Sequence, residues 1–214
     1  MAGMPVVLRV DPSDPDLRAL GQAAEAIGRG LVVAFPTDTV YGLAVDPRNA
    51  EAVQRLFALK GRPETSALTL IASDLEQVRA VAEMDATAER LAELWWPGPL
   101  TIVLRARDGL AAETLAGGST VGVRIPNHPV ARALARASYF CVTATSANPS
   151  GQPAVSSAEA VVRALPGVDV ILDAGESHGG APSTIVDGSN DTITLVRAGA
   201  IDWERVLKSL SSGA

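Results

Sequence analysis

The chain has 214 residues, of which 47% are hydrophobic and 20% charged; a chain of that length buries about 70% of its unfolded surface and forms a full core without covalent staples. A net charge of −6 excludes a strong non-specific grip on nucleic acid, the one cysteine (Cys141) excludes an internal disulfide or a multi-cysteine zinc site, and the two histidines lack HExxH spacing. No secretory leader is expected from the N-terminal residues and no apolar run is long enough for a membrane-crossing helix, so the expected location is the cytoplasm and no membrane partner is expected.

In chain order, Val6 to Val10 reads as a short strand. Asp14-Pro15 opens a helix to about Arg29, with Leu17, Leu20, Ala24 and Ile27 on one face. Leu31 to Phe35 is a buried strand stopped by Pro36, and Thr37, Asp38, Thr39 and Tyr41 follow it as polar groups at a strand end. Ala50 to Leu59 is helical and stops at Gly61 and Pro63, which leaves Lys60 and Arg62 at the stop. Lys60 stands out because Lys60 and Lys208 are the only lysines among 18 cationic residues. A lysine there either meets an anion in a pocket as a compact point charge or complements the C-terminal end of the helix dipole.

Ala67 to Ala72 is a strand, and Ser73 to Glu76 has the form of a capping box for a helix to about Glu83. A second helix, about Thr87 to Leu94, runs into Trp95-Trp96-Pro97-Gly98-Pro99, where a sharp turn is forced. Leu100 to Leu104 is a strand, and the Gly-rich stretch Asp108 to Ser119 is expected to be mobile. Thr120 to Ile125 is a strand, Asn127 caps a helix to about Ala137, and Tyr139 to Ala144 is a strand ending in the polar turn Thr145 to Gly151. Ser156 to Glu159 is a second capping box, opening a helix to about Leu165. Val168 to Asp173 is a strand, Glu176 to Ser183 a Gly-rich loop, Thr184 to Val186 and Thr192 to Val196 a closing strand pair, and Trp203 to Leu210 a helix.

Interleaved strands and helices with some strands consecutive predict one α/β domain over residues 1–214, a mixed sheet with helices packed on it. Polar groups recur after strands at Thr37 to Tyr41, Arg124, Thr145 to Asn148, Ser183-Thr184 and Arg197, and if those ends converge they line a single groove. Cations among hydroxyls suit phosphate and carboxylate recognition. Neither GxxxxGK[ST] nor GxGxxG is present, so a nucleotide needs another loop arrangement. Cys141 reads as a buried small hydrophobe, the three tryptophans as core, His128 as a surface residue at a helix start, and Asp38 as a local turn cap.

The ordered stretches PTDTVYGL (36–43), LKGRP (59–63), WPGPLT (96–101), VGVRIPNHP (121–129), TSANPSG (145–151) and PSTIVD (182–187) resemble the YrdC/Sua family over nearly the whole chain. The resemblance implies a fold with a twisted mixed sheet flanked by helices around a concave, positively charged groove, and a single-domain threonylcarbamoyl-AMP synthase, a nucleotidyltransferase that joins L-threonine, bicarbonate and ATP and releases pyrophosphate. Its product serves threonylcarbamoyladenosine formation on tRNA through a downstream threonylcarbamoyl transferase complex. By the same resemblance the catalytic set is Lys60, Arg62, Ser146 and Asn148, and threonine is met by Thr37, Arg124, Ser146 and Ser183. ATP is met by Arg62, Ser66, Thr120, Asn148, Ser156 and Arg197, with Mg²⁺ carried on its phosphates and no direct protein ligand to the metal. Weak tRNA contact is a further expectation, and a non-catalytic module binding tRNA or double-stranded RNA is the alternative reading. The segment after Pro63 (ETSALTLI) lacks the proline and histidine that many members carry there, which leaves that ligand contact open.

Overall fold

Alternation along the strands decides which face of the sheet each residue meets. The computed structural model describes residues 4–61, 66–177, 179–190 and 192–211, and Arg62 and His178 lie outside them. Strands β1 (Val6–Arg9), β2 (Val33–Pro36), β3 (Tyr41–Ala44), β4 (Thr69–Ile71), β5 (Leu100–Arg105), β6 (Thr120–Arg124), β7 (Val142–Ser146), β8 (Val170–Asp173), β9 (Thr184–Asp187) and β10 (Thr194–Arg197) form one sheet. Its order is β1-β8-β2-β3-β7-β4-β6-β5-β9-β10. Parallel pairs (β1·β8, β8·β2, β4·β6, β5·β9) mix with antiparallel ones (β2·β3, β3·β7, β7·β4, β6·β5, β9·β10). The result is the predicted single α/β domain with a mixed sheet flanked by helices.

Helices α1 (Leu17–Gly28), α2 (Ala50–Lys60), α3 (Leu75–Val81), α4 (Ala86–Trp95), α5 (Pro129–Ala137), α6 (Ala158–Ala164) and α7 (Trp203–Ser211) cover the two halves of the sheet differently. Around β2, Val33 and Phe35 pack with α1 and α5 while Val32 and Ala34 pack with α2 and α6, so this half is buried on both faces. In the other half, Leu70, Leu100, Ile102, Leu104, Val121 and Val123 pack under α3, α4 and α7. Their alternate neighbours Thr69, Thr101, Gly122, Arg124 and Ile185 point the other way, onto a face whose β5 and β6 end carries no helix-packed cluster among the described residues. That face is the floor of the cavity described below.

Several boundaries differ from the sequence reading. The polar stretch after Pro36 is a tight hairpin: β3 returns along β2 with Pro36 opposite Tyr41 and Phe35 opposite Gly42. Both helix caps sit one residue later than expected. Asp74, not Ser73, caps α3 by accepting from Gln77 N at 3.0 Å, and Gln77 Oε1 in turn accepts from Ser73 N at 2.9 Å. Ser157, not Ser156, caps α6 through Ala160 N at 3.3 Å. In each doublet the second residue has the extended backbone that a cap requires. Asn127 is not the cap of α5; His128 holds that position without a side-chain cap bond, and Pro129 takes the first helical position, where an N–H would have no partner within the helix. The stretch 108–119 is anchored: fully buried Thr114 donates to Pro47 O at 2.8 Å, and its carbonyl accepts from Leu68 N at 3.0 Å. The strand expected to begin at Tyr139 begins at Val142; Tyr139 itself is exposed with a left-handed backbone.

The core readings hold. Cys141 is fully buried, and burial pushes its thiol up to about 12. Trp96 is buried with its indole N–H donating to Leu100 O at 2.7 Å, while Trp95 and Trp203 pack against the same cluster. Among the described residues no helix is long and apolar enough to cross a membrane.

Candidate active site

A cavity of about 430 Å³ lies on the uncovered face and joins the ends of β2, β3, β4, β6, β7 and β9. Of the residues predicted for the site, Thr37, Arg124, Ser146, Ser183 and Arg197 line it. The volume falls within the range of small-molecule sites. The hairpin presents Thr37, whose hydroxyl donates to Val40 O at 2.6 Å and accepts from the N–H groups of Thr39 and Val40, both at 3.3 Å. A ligand therefore meets a hydroxyl already oriented by its own turn. Across the cavity the Ser183 hydroxyl lies 2.9 Å from that of Thr101 and 3.2 Å from Arg197 Nη2. Arg197 also donates twice to Ser183 O, at 3.3 and 2.8 Å. Gly199 makes that approach feasible, since a Cβ there would meet Pro182 O at 2.3 Å.

Arg124 is held by two elements that the sequence reading treated separately. Its Nε donates to Gly98 O at 2.7 Å, and its Nη2 forms a charged hydrogen bond with Asp38 Oδ2. Asp38 is thus the ion-pair partner of Arg124 and not only a turn cap. Burial lowers the pKa of Arg124, Asp38 opposes that shift, and repulsion from Arg197 adds to it. Two guanidinium groups that sense each other across one hydroxyl-lined cavity favour an anion between them. His128 is half-buried, not a surface residue; its Nδ1 is enclosed without a hydrogen-bond partner. Burial holds its pKa below the usual value against the pull of Asp38.

The turn at Gly98 is therefore part of the site. The Trp96–Pro97 peptide is cis, and Gly98 N donates back to Ile125 O at 2.9 Å. A Cβ on Gly98 would sit 2.2 Å from Trp95 O. Gly98→Ala is expected to displace the carbonyl that orients Arg124. It should cost about 1–3 kcal/mol of stability and roughly tenfold in affinity for a carboxylate ligand, measured by thermal melting and titration.

Other predicted residues stand apart from the cavity lining. Lys60 is only 3% exposed, and its ammonium donates to Ser146 O and, at 2.7 Å, to Asn148 O. It is a cation placed behind the β7 turn, gripping the backbone of the segment that carries Ser146. Asn148 is buried, with Nδ2 donating to Pro149 O at 3.0 Å and Gln152 O at 2.6 Å, while its Oδ1 is enclosed without a partner. Thr120 shares a face with Gly122 and Arg124, at the far end of β6, about 13 Å from Arg124 at ordinary strand spacing. Ser156 lies beside the cavity wall, its hydroxyl 3.3 Å from Glu176 and its neighbour Val155 accepting from Tyr41 N at 2.9 Å. Ser66 is half-buried at the edge of the segment outside the described residues, which includes Arg62. Tyr41, fully buried, donates to Gly175 O at 2.8 Å, and burial pushes its phenol to about 12.

A model of the Sua5/YciO/YrdC family, described as telomere recombination, matches residues 25–199. The chain belongs to this family. The threonylcarbamoyl-AMP synthase of Bacillus subtilis (strain 168) is 37% identical over 197 residues, covering 91% of this chain and 56% of that protein. The one from Idiomarina loihiensis is 40% identical over 178 residues, covering 80% and 95%. The crystal structure of P. abyssi Sua5 complexed with L-threonine superposes with a TM-score of 0.89 at 35% identity, covering 95% of this chain and 60% of that one. This member of the Sua5/YciO/YrdC family thus spans little more than half the length of some curated relatives and nearly all of others.

Proposed function

We propose that this chain makes threonylcarbamoyl-AMP from L-threonine, bicarbonate and ATP in the cytoplasm. The observation that carries the reading is the pair of guanidinium groups, Arg124 and Arg197, facing one cavity whose walls bear the hydroxyls of Thr37, Ser146 and Ser183. Relatives named threonylcarbamoyl-AMP synthase, and a Sua5 of the same fold complexed with L-threonine, support the choice of ligands.

In this reading threonine lies with its carboxylate against Arg124 and its remaining polar atoms toward Thr37, Ser146 and Ser183. The threonine nitrogen, as the free amine, bonds to the carbon of bicarbonate while the bond from that carbon to its hydroxyl oxygen breaks; the hydroxyl leaves as water with a proton from the nitrogen, and a carbamate remains. A carbamate oxygen then bonds to the α-phosphorus of ATP as the bond from that phosphorus to the β-phosphate bridging oxygen breaks, and pyrophosphate leaves. No enzyme nucleophile is needed; the protein contributes position and charge. In this reading Arg197 meets the phosphates, and a nucleotide lying along β6 over Gly122 reaches Thr120 at the far end of the same face. Arg62, Ser66 and Ser156 complete the proposed ATP contacts. Lys60 and Asn148 act by holding the Ser146 segment in place. The polar side chains of the cavity lining are hydroxyls and guanidinium groups, with Asp38 already paired to Arg124, a donor set suited to an anion and not to a bare cation. Mg²⁺ in this reading is held by the ATP phosphates, where it neutralises charge. The adenylate is a reactive mixed anhydride, so a transferase acting on tRNA would consume it, with weak tRNA contact at hand-off.

The direct test follows label from bicarbonate into an adenylate. Incorporation that requires both L-threonine and ATP is expected; a folded protein that binds ATP but forms no labelled adenylate would refute the reading.

A further inference from the structure

We infer that Asp38 is the receptor for the α-ammonium of the amino-acid substrate, so that Asp38 and Arg124 together read the zwitterion; this rests on the proposed threonine site and adds to it. Three observations point to it. First, Asp38 is an anion at the cavity's rim: its chain neighbours Thr37 and Thr39 and its ion-pair partner Arg124 line the cavity, and its own side chain, outside that lining, is 26% exposed. Second, the pair uses only part of its bonding capacity. Asp38 engages Arg124 through Oδ2 alone, and its Oδ1 carries no hydrogen bond from any described residue. Arg124 uses Nε for Gly98 O and Nη2 for Asp38, and its Nη1 carries no hydrogen bond to any described residue. A free carboxylate oxygen therefore stands next to a free guanidinium edge.

Third, the pair is held fixed before any ligand arrives. Arg124 is anchored by the Gly98 carbonyl, and Asp38 is set by the hairpin that Thr37 closes. An α-amino acid carries its carboxylate and ammonium on one carbon, and so presents both charges to such a pair at once. A ligand with a carboxylate alone would bring a second anion to Arg124 beside Asp38, which costs affinity through like-charge repulsion. The pair thus selects an amino acid over a hydroxy acid of the same shape. The selection ends once the nitrogen is carbamoylated, because that nitrogen no longer carries a charge.

The test compares L-threonine with 2,3-dihydroxybutanoate of matching configuration, in which a hydroxyl replaces the ammonium, by calorimetric titration of the wild-type protein and of Asp38→Asn. Wild type is expected to prefer L-threonine by on the order of tenfold or more. Asp38→Asn is expected to lose about that factor for L-threonine while holding the hydroxy acid within roughly threefold, or binding it better. Equal weakening of both ligands in Asp38→Asn would overturn the inference, since Asp38 would then only orient Arg124. Equal affinity of wild type for the two ligands would also overturn it, whether or not the variant folds. Failure of wild type to bind L-threonine at all would instead overturn the threonine site on which the inference rests.

Discussion

Lys60→Ala is expected to lower the rate of pyrophosphate release by on the order of 10²–10³ without removing any group that lines the cavity. The ammonium is buried and donates to the carbonyls of Ser146 and Asn148, so its loss leaves two enclosed acceptors without that donor. That should cost about 2–4 kcal/mol of stability and lower the melting temperature by roughly 5–10 °C. The larger effect is on geometry. β7 ends at Ser146, which faces the cavity with Gly42 of β3 as its ladder partner, and the turn beyond it is tied back to α2 by Ser150 N donating to Lys60 O at 2.8 Å. Releasing the lysine frees this turn, and displacement of about 1 Å can cost a hundredfold in rate. Lys60→Met, which keeps the stem and drops the charge, separates packing from hydrogen bonding: stability should recover in part while the rate stays low. Near-wild-type turnover in Lys60→Ala would show that the Ser146 turn needs no such grip.

Arg124→Lys is the second large effect, and charge is retained throughout. A lysine has one nitrogen where arginine has a fork, so it cannot donate to Gly98 O, pair with Asp38 and still present a free edge to a ligand. Threonine affinity should fall by about a hundredfold, the equivalent of roughly 2–3 kcal/mol for a lost bidentate charged contact. ATP affinity should change far less, since Arg197 stands on a separate strand and is braced by Ser183. A variant that binds threonine as well as the wild type would remove Arg124 from the site.

Much of this arrangement is readable in the sequence, for identifiable reasons. Strand ends carrying Thr37, Arg124, Ser146, Ser183 and Arg197 offered a single groove on condition that they converge, and they do, because side chains that alternate along buried strands leave their polar members at the ends and on the open face. The hairpin β2–β3 escaped notice because TDTV looks like a loop leaving the sheet, when its hydroxyls close a turn that brings Tyr41 back beside Pro36. The caps slipped by one residue because Ser73-Asp74 and Ser156-Ser157 each offer two competent side chains, and backbone geometry chooses between them. The grip on Arg124 was not legible. Its partners lie 86 and 26 residues away, Gly98 contributes a carbonyl that every residue possesses, and Asp38 in a turn looks like any turn aspartate. Lys60 illustrates the remaining gap: its rarity marked it as special, but only the fold shows that it faces the backbone of the β7 turn.

The most direct measurement is pyrophosphate release from ATP by the purified protein, with L-threonine and bicarbonate supplied together, singly and not at all. Release that requires both is the predicted result. Release indifferent to threonine, or none from a folded protein that binds ATP, would contradict the account.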